Sequence, residues 1–176
     1  MNRRLAEGFK VAPGAPRKPV AAVVALGSNL GDRAQTIRSA VTDLARLPLV
    51  DDVRVADVTE SVAIKPGGPD ADAPAYLNTV ALVTTRLAPS VLLTYLHAIE
   101  VRHGRERTER WGDRTLDLDL IAYGDARSDT AALQLPHPRA AERDFVLAPW
   151  LILDPDAELP GVGRVDELLR RLRAAS

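Results

Sequence analysis

The 176-residue chain contains no cysteine, which excludes a disulfide scaffold, a thiolate nucleophile and any Cys-based metal site. Aromatic residues make up only 4% of it and the formal net charge is −1. An RNA-reading sheet needs exposed aromatics on a basic surface, so no nucleic-acid partner is expected. No apolar run approaches the roughly 20 residues of a membrane-spanning helix, so no membrane partner is expected either. Lysine occurs only at Lys10, Lys18 and Lys65, leaving arginine as nearly the whole positive charge. The opening stretch, Met1 to Lys18, has Arg3 and Arg4 but no apolar core. It does not read as a secretory signal, and a cytoplasmic protein is the expectation.

What remains is an ordinary globular composition, 46% hydrophobic and 27% charged. The length suits one domain with a real core. Residues 1–18, rich in proline, glycine and charge, read as a flexible tail, and 19–176 as a single domain. Val20 to Leu26 is a buried strand closed by a Gly27-Ser28-Asn29 turn. A helix follows from its N-cap, Asp32, to Leu47, with Ile37, Val41, Leu44 and Ala45 on one face and Pro48 stopping it. Val50 to Thr59 reads as a strand. Lys65 to Ala75, with three prolines and two glycines, reads as a loop and a lid. Tyr76 to Thr85 is a strand, and Pro89 opens a helix striped by Leu92, Tyr95, Leu96 and Ile99, which Gly104 ends. Thr115 to Tyr123 is a strand, followed by a turn at Gly124-Asp125, a short segment at Leu135, the stretch Arg143 to Leu153, and an amphipathic helix carrying Val165, Leu168, Leu169 and Leu172. The order β-α-β-β-α-β predicts an α+β, ferredoxin-like core with C-terminal additions, an antiparallel sheet with helices packed on it.

The most specific stretch is Arg110-Trp111-Gly112-Asp113-Arg114-Thr115-Leu116-Asp117-Leu118-Asp119-Leu120-Ile121. Strand alternation puts Asp117 and Asp119 on one face, their Cα atoms about 6.5–7 Å apart. That suits one or two shared hard cations such as Mg²⁺. A bare Asp-x-Asp is more often a solvated sheet face. Arg102, Arg105, Arg107, Arg110 and Arg114 crowd this pair, however, and arginine suits bidentate phosphate recognition. The scarcity of lysine accounts for part of that bias.

The other signals are weaker taken singly. Gly27-Ser28-Asn29-Leu30-Gly31, between a strand and a helix, can cradle an anion or simply turn tightly. Tyr76 and Asn78 share a strand face and can stack on and hydrogen-bond a flat heterocycle, or serve the core edge. Glu100 can meet an arginine or a ligand, though a solvated helix position is the commoner case. His137, between two prolines, can donate to a phosphate or do nothing. Arg143 and Phe145 place a cation and a ring two residues apart.

Together these residues resemble one family. Ala25-Leu26-Gly27-Ser28-Asn29-Leu30-Gly31, Tyr76-Leu77-Asn78, Gly104-Arg105, the Arg110–Asp119 block, Pro136-His137 and Arg143-Asp144-Phe145 occur in the order and near spacing of 6-hydroxymethyl-7,8-dihydropterin pyrophosphokinase, over roughly residues 20–160. The resemblance implies transfer of pyrophosphate from ATP to the pterin hydroxymethyl group, with release of AMP, in folate biosynthesis. It implies two Mg²⁺ ions on Asp117 and Asp119, and Arg105, Arg107 and Arg114 on the phosphates, with Arg105 and Arg114 catalytic. It places Glu100, Arg107, Arg110, Trp111, His137 and Arg143 on the ATP side, and Gly27, Tyr76, Asn78 and Phe145 around the pterin. A monomer is expected, with association with neighbouring folate-pathway enzymes open.

Two departures stand out. Ser61-Val62-Ala63-Ile64-Lys65 replaces a Thr-Pro-Pro-like loop, and Pro138 stands where a tyrosine often follows the loop histidine. The rival readings are a magnesium-dependent nucleotidyltransferase or cyclase, which would release pyrophosphate, an RNA-binding ferredoxin-like module, and a ligand-binding domain with a dead active site.

Overall fold

Local signals place the first elements where the pattern predicts them. In the computed structural model, which describes residues 18–65, 68–70, 72–104 and 115–175, strand β1 (Val20–Ser28) leads into helix α1 (Arg33–Ala45). The Asp32 carboxylate accepts the Gln35 N–H at 3.0 Å, satisfying a donor that every helix start leaves unpaired. This also changes the reading of the glycine turn. The helix N-terminus already carries a carboxylate, and the turn spans a tight β-to-α connection with Gly31 at φ 65°.

The expected strand from Val50 to Thr59 is two pieces, β2 (Val50–Val55) and β3 (Thr59–Ser61). The break is tied down at Ala56, whose N–H donates to the Val80 carbonyl at 3.1 Å and whose own carbonyl accepts from the Thr79 hydroxyl at 2.7 Å. Within the expected loop of 65–75 lies β5 (Gly68–Asp70), paired in a hairpin with β4 (Ala63–Lys65), Ala63 opposite Asp70. A two-stranded ribbon has free edges, so a strand proline such as Pro69 is tolerated there.

Strand β6 (Tyr76–Thr85), helix α2 (Pro89–Arg102) and strand β7 (Asp117–Tyr123) complete the six-element core. Leu135 lies in a second hairpin, β8 (Ser128–Thr130) with β9 (Leu133–Leu135). Then come a 3₁₀ turn (Ala140–Glu142), helix α3 (Asp144–Leu153), the small ribbon β10 (Glu158–Leu159) with β11 (Gly163–Arg164), and helix α4 (Val165–Ala174).

The main sheet runs β2-β6-β1-β7, with β3 also on β6, and every pairing is antiparallel. This is the ferredoxin-like order. Alternation along the strands feeds two cores. On one face Leu44 of α1 and Leu92, Leu96 and Ile99 of α2 pack on Val24, Leu26, Ala81, Val83, Leu118 and Leu120. On the other, Val146, Leu147 and Trp150 of α3 and Val165 and Leu169 of α4 pack on Val23, Val80, Leu82 and Ile121. The C-terminal additions are therefore the second wall of the sheet. Burying both faces supplies the apolar area that holds so short a chain together.

Candidate active site

Helix α3 begins only at Asp144, so it leaves the end of its sheet face uncovered, and that gap is a cleft of about 480 Å³. Its floor follows from register. Gly27 of β1 sits opposite Asn78 of β6 on one side and Asp117 of β7 on the other, and Ala25 sits opposite Val80 and Asp119. Residues 25 and 27 carry little or no side chain, so the carboxylates and the Asn78 amide face one another across an open floor. A Cβ on Gly27 would lie 3.0 Å from Asn78 Oδ1 and 3.6 Å from Tyr76 Cδ1. Glycine here keeps the floor clear.

The wall opposite is built by the segment from His137 into α3. Arg143 donates through Nη1 to Asp119 Oδ2 at 2.7 Å, and its guanidinium lies 5.8 Å from the centre of the Phe145 ring. His137 Nε2 is 3.8 Å from the same Asp119 oxygen. The Arg139 N–H donates to His137 Nδ1 at 3.1 Å, which leaves Nε2 as the protonated nitrogen of the neutral ring. Burial lowers the His137 pKa below its usual 6.5, with Arg143 and Arg139 adding to the effect and Asp119 and Asp117 opposing it. The ring is accordingly neutral near pH 7.

Gly27, Tyr76, Asn78, Asp117, Asp119, His137, Arg143 and Phe145 all line this one cleft. Glu100 does not. Its side chain lies on the α2 side of β7, 1% exposed, with Oε1 accepting the Leu118 N–H at 2.7 Å. It is thus neither a solvated helix position nor part of the cleft wall, because the helix stripe that buries Leu96 and Ile99 carries Glu100 in with them. Arg105, Arg107, Arg110, Trp111 and Arg114 lie outside the described residues.

Several lining residues were not legible in the sequence. Ser61 accepts from Asn78 Nδ2 at 2.7 Å and, with Val62, closes the cleft beside Tyr76. Only the pairing of β3 with β6, which sets Ser61 opposite Tyr76, brings it there. Pro138 lines the wall where a tyrosine was the family expectation, and Arg139 and Glu142 pair beside it at 3.2 Å.

Residues 23–155 match the model of the family described as 7,8-dihydro-6-hydroxymethylpterin-pyrophosphokinase (HPPK). The chain belongs to this family. A 2-amino-4-hydroxy-6-hydroxymethyldihydropteridine pyrophosphokinase from Pseudomonas aeruginosa is 43% identical over 146 residues, covering 83% of this chain and 88% of the relative. One of the same name from Synechocystis is 39% identical over 149 residues, covering 85% and 74%. Among solved structures, wild-type HPPK-DHPS from Plasmodium falciparum superposes with a TM-score of 0.65 at 12% identity, over 90% of this chain. The match spans 42% of that longer chain, and at so low an identity it shows the shared fold alone. The HPPK core, residues 23–155, contains every cleft residue named above.

Proposed function

We propose that this HPPK-family chain transfers pyrophosphate from ATP to the hydroxymethyl group of 6-hydroxymethyl-7,8-dihydropterin, releasing AMP, in folate biosynthesis. The observation that carries the reading is the convergence, in one cleft, of a carboxylate pair with a ring-and-amide set. Asp117 and Asp119 lie across Gly27 from Asn78 and Tyr76, with Phe145 on the wall of the same cleft. In the proposed step the substrate hydroxyl oxygen attacks the β-phosphorus of ATP. The Pβ–O–Pα bridge breaks, AMP carries off the bond's electron pair, and the hydroxyl proton is lost.

Each wall has a part in this. Tyr76 and Phe145 offer ring faces to a flat heterocycle, and Asn78, held by Ser61, offers hydrogen bonds to its edge. His137 presents a neutral N–H toward the phosphates, and Arg143 a fixed guanidinium. Arg105, Arg107, Arg110, Arg114 and Trp111 keep the roles implied by the family resemblance, with Arg105 and Arg114 nearest the transferring group. Holding hydroxyl and phosphorus in line is itself worth several kcal/mol of barrier, on the order of 7–11 in favourable cases.

The residues present fit a magnesium site. Asp117 and Asp119 are oxygen donors side by side on one strand face, and Asp119 already attracts a cation, the Arg143 guanidinium. Two Mg²⁺ ions on this pair would supply charge neutralisation to the entering and leaving oxygens. Among the described residues no helix is long and apolar enough to cross a membrane, which is compatible with a cytoplasmic enzyme. A monomer is the proposed state. The joining of HPPK to DHPS in one solved chain supports association with a neighbouring folate-pathway enzyme.

Incubation with ATP, Mg²⁺ and the reduced hydroxymethylpterin should yield AMP and pterin diphosphate in equal amounts. Release of inorganic pyrophosphate instead would favour a nucleotidyltransferase and overturn the proposal.

A further inference from the structure

The carboxylate pair sits at a mechanically weak place. Among the described residues β7 is an edge strand of the main sheet, paired to β1, and its first residue is Asp117. Strand ends at sheet edges open at low free energy. The pairing partners of the two aspartates, Gly27 and Ala25, bring almost no side chain to hold them. Mg²⁺ nevertheless demands near-ideal octahedral geometry at about 2.0–2.1 Å, and sites hold such geometry only when neighbouring groups lock the ligands.

Among the described residues, a side-chain contact also holds the backbone between the two aspartates. The N–H of Leu118, the residue between the two aspartates, donates to Oε1 of Glu100 at 2.7 Å in a buried setting. We infer that Glu100 is a positioning residue for the Asp117–Asp119 pair, tethering the peptide between them to helix α2. The inference rests on the proposed metal role of that pair and adds to it a residue that does not touch the cleft.

Alternation explains why this contact can act on both carboxylates. Leu118 points into the α2 core, 2% exposed, while residues 117 and 119 point into the cleft. Fixing the 117–118 peptide therefore limits the tilt of the strand on which both carboxylates stand. The choice of residue is also informative. Glu100 is 1% exposed within a helix stripe otherwise made of Leu92, Leu96 and Ile99. Burying a polar side chain costs free energy unless its hydrogen bonds are made, and an apolar residue would pack this layer at lower cost. The buried glutamate has one of its oxygens satisfied by the Leu118 N–H. The helix is a rigid base for the tether, since α2 packs directly on β7.

Two conservative variants separate reach from charge. Glu100→Gln keeps an acceptor oxygen at the same distance, whereas Glu100→Asp keeps the carboxylate but draws it back by one methylene. The first readout is hydrogen exchange at the Leu118 amide in the metal-free protein. The second is Mn²⁺ affinity in the presence of α,β-methylene-ATP, followed by electron paramagnetic resonance. Glu100→Gln should stay within about threefold of the parent on both. Glu100→Asp should exchange roughly tenfold to a hundredfold faster at Leu118, the scale of one lost buried hydrogen bond. It should also bind Mn²⁺ at least about tenfold more weakly, with exchange at Val83 in the interior strand β6 unchanged. Three outcomes would overturn the tether: unaltered Leu118 exchange in Glu100→Asp, faster exchange with undiminished Mn²⁺ affinity, or a Glu100→Gln variant as impaired as Glu100→Asp. Failure of the proposed reaction would show separately, as absence of AMP from the unmodified protein, because the exchange comparison uses neither metal nor nucleotide.

Discussion

Arg143 joins the two halves of the cleft, donating to Asp119 at 2.7 Å while its guanidinium lies 5.8 Å from the Phe145 ring centre. The same side chain thus holds the carboxylate proposed for the metal and flanks the ring proposed for the pterin. In the ligand-free chain it is the counter-cation that Asp119 would exchange for a metal ion.

If guanidinium and metal compete, Arg143→Met should bind Mn²⁺ more tightly than the parent when no nucleotide is present. The expected gain is roughly twofold to fivefold, the scale of one partly exposed ion pair. Turnover should nonetheless fall, since the arginine is then missing from the phosphate wall. Titration of Mn²⁺ by electron paramagnetic resonance gives the first quantity, and unchanged or weaker binding would show that the two cations do not compete.

Asp117→Ala and Asp119→Ala should each abolish turnover with the fold intact by circular dichroism. Relief of carboxylate repulsion is one reason such a change can stabilise a metal-free protein. Asp119 is already paired with Arg143, so Asp119→Ala should bring no gain in Tm. Near-normal rates at ordinary Mg²⁺ in either variant would remove the metal assignment.

Gly27→Ala tests the open floor. Its Cβ would press on Asn78 Oδ1 at 3.0 Å, so the amide must shift or the pterin must ride higher. Phe145→Ala removes one ring face. Both should raise KM for the pterin far more than they lower kcat, because contacts equal in ground and transition states affect binding. A loss of about 1–3 kcal/mol is expected for Phe145→Ala, by analogy with base–aromatic stacking. A pure kcat effect with unaltered pterin binding would reverse the roles.

His137 should titrate below 6.5 in the metal-free protein, chiefly because burial disfavours its charged form. As pH falls through 6.5, the unfolded chain takes up this proton while the folded chain does not. Stability therefore declines between 6.5 and the lower folded value, then levels off. Side-chain NMR gives the midpoint, and His137→Gln should lose that part of the decline. A midpoint at or above 6.5 would contradict the buried, neutral ring.

Much of the fold was legible because it follows from local rules. Asp32 caps a helix wherever it precedes one, Pro89 opens α2 for want of an N–H, and alternation sends Leu118 one way and Asp117 and Asp119 the other. The misreadings fall where pairing overrides composition. The proline-rich stretch from Lys65 to Ala75 looked like loop but carries β5, which pairs with β4, and the strand after Val50 is broken in two because Ala56 bonds to β6. Glu100 was misplaced for a related reason. The sequence set it on the ATP side or on a solvated helix face, whereas the packing of α2 on β7 makes it a buried acceptor for Leu118.

The order of elements, the antiparallel α+β core, the family and the carboxylate pair were determined by the sequence alone, because each rests on short-range periodicity or a contiguous motif. The tertiary structure decided what lies across from what. Gly27 became a cleared floor through its register with Asn78 and Asp117, Ser61 became the partner of the amide, Arg143 the counter-ion of Asp119, and Glu100 a buried support. Such relationships join residues between 17 and 90 positions apart, and chain periodicity carries no information about which distant strand or helix will arrive at a given edge.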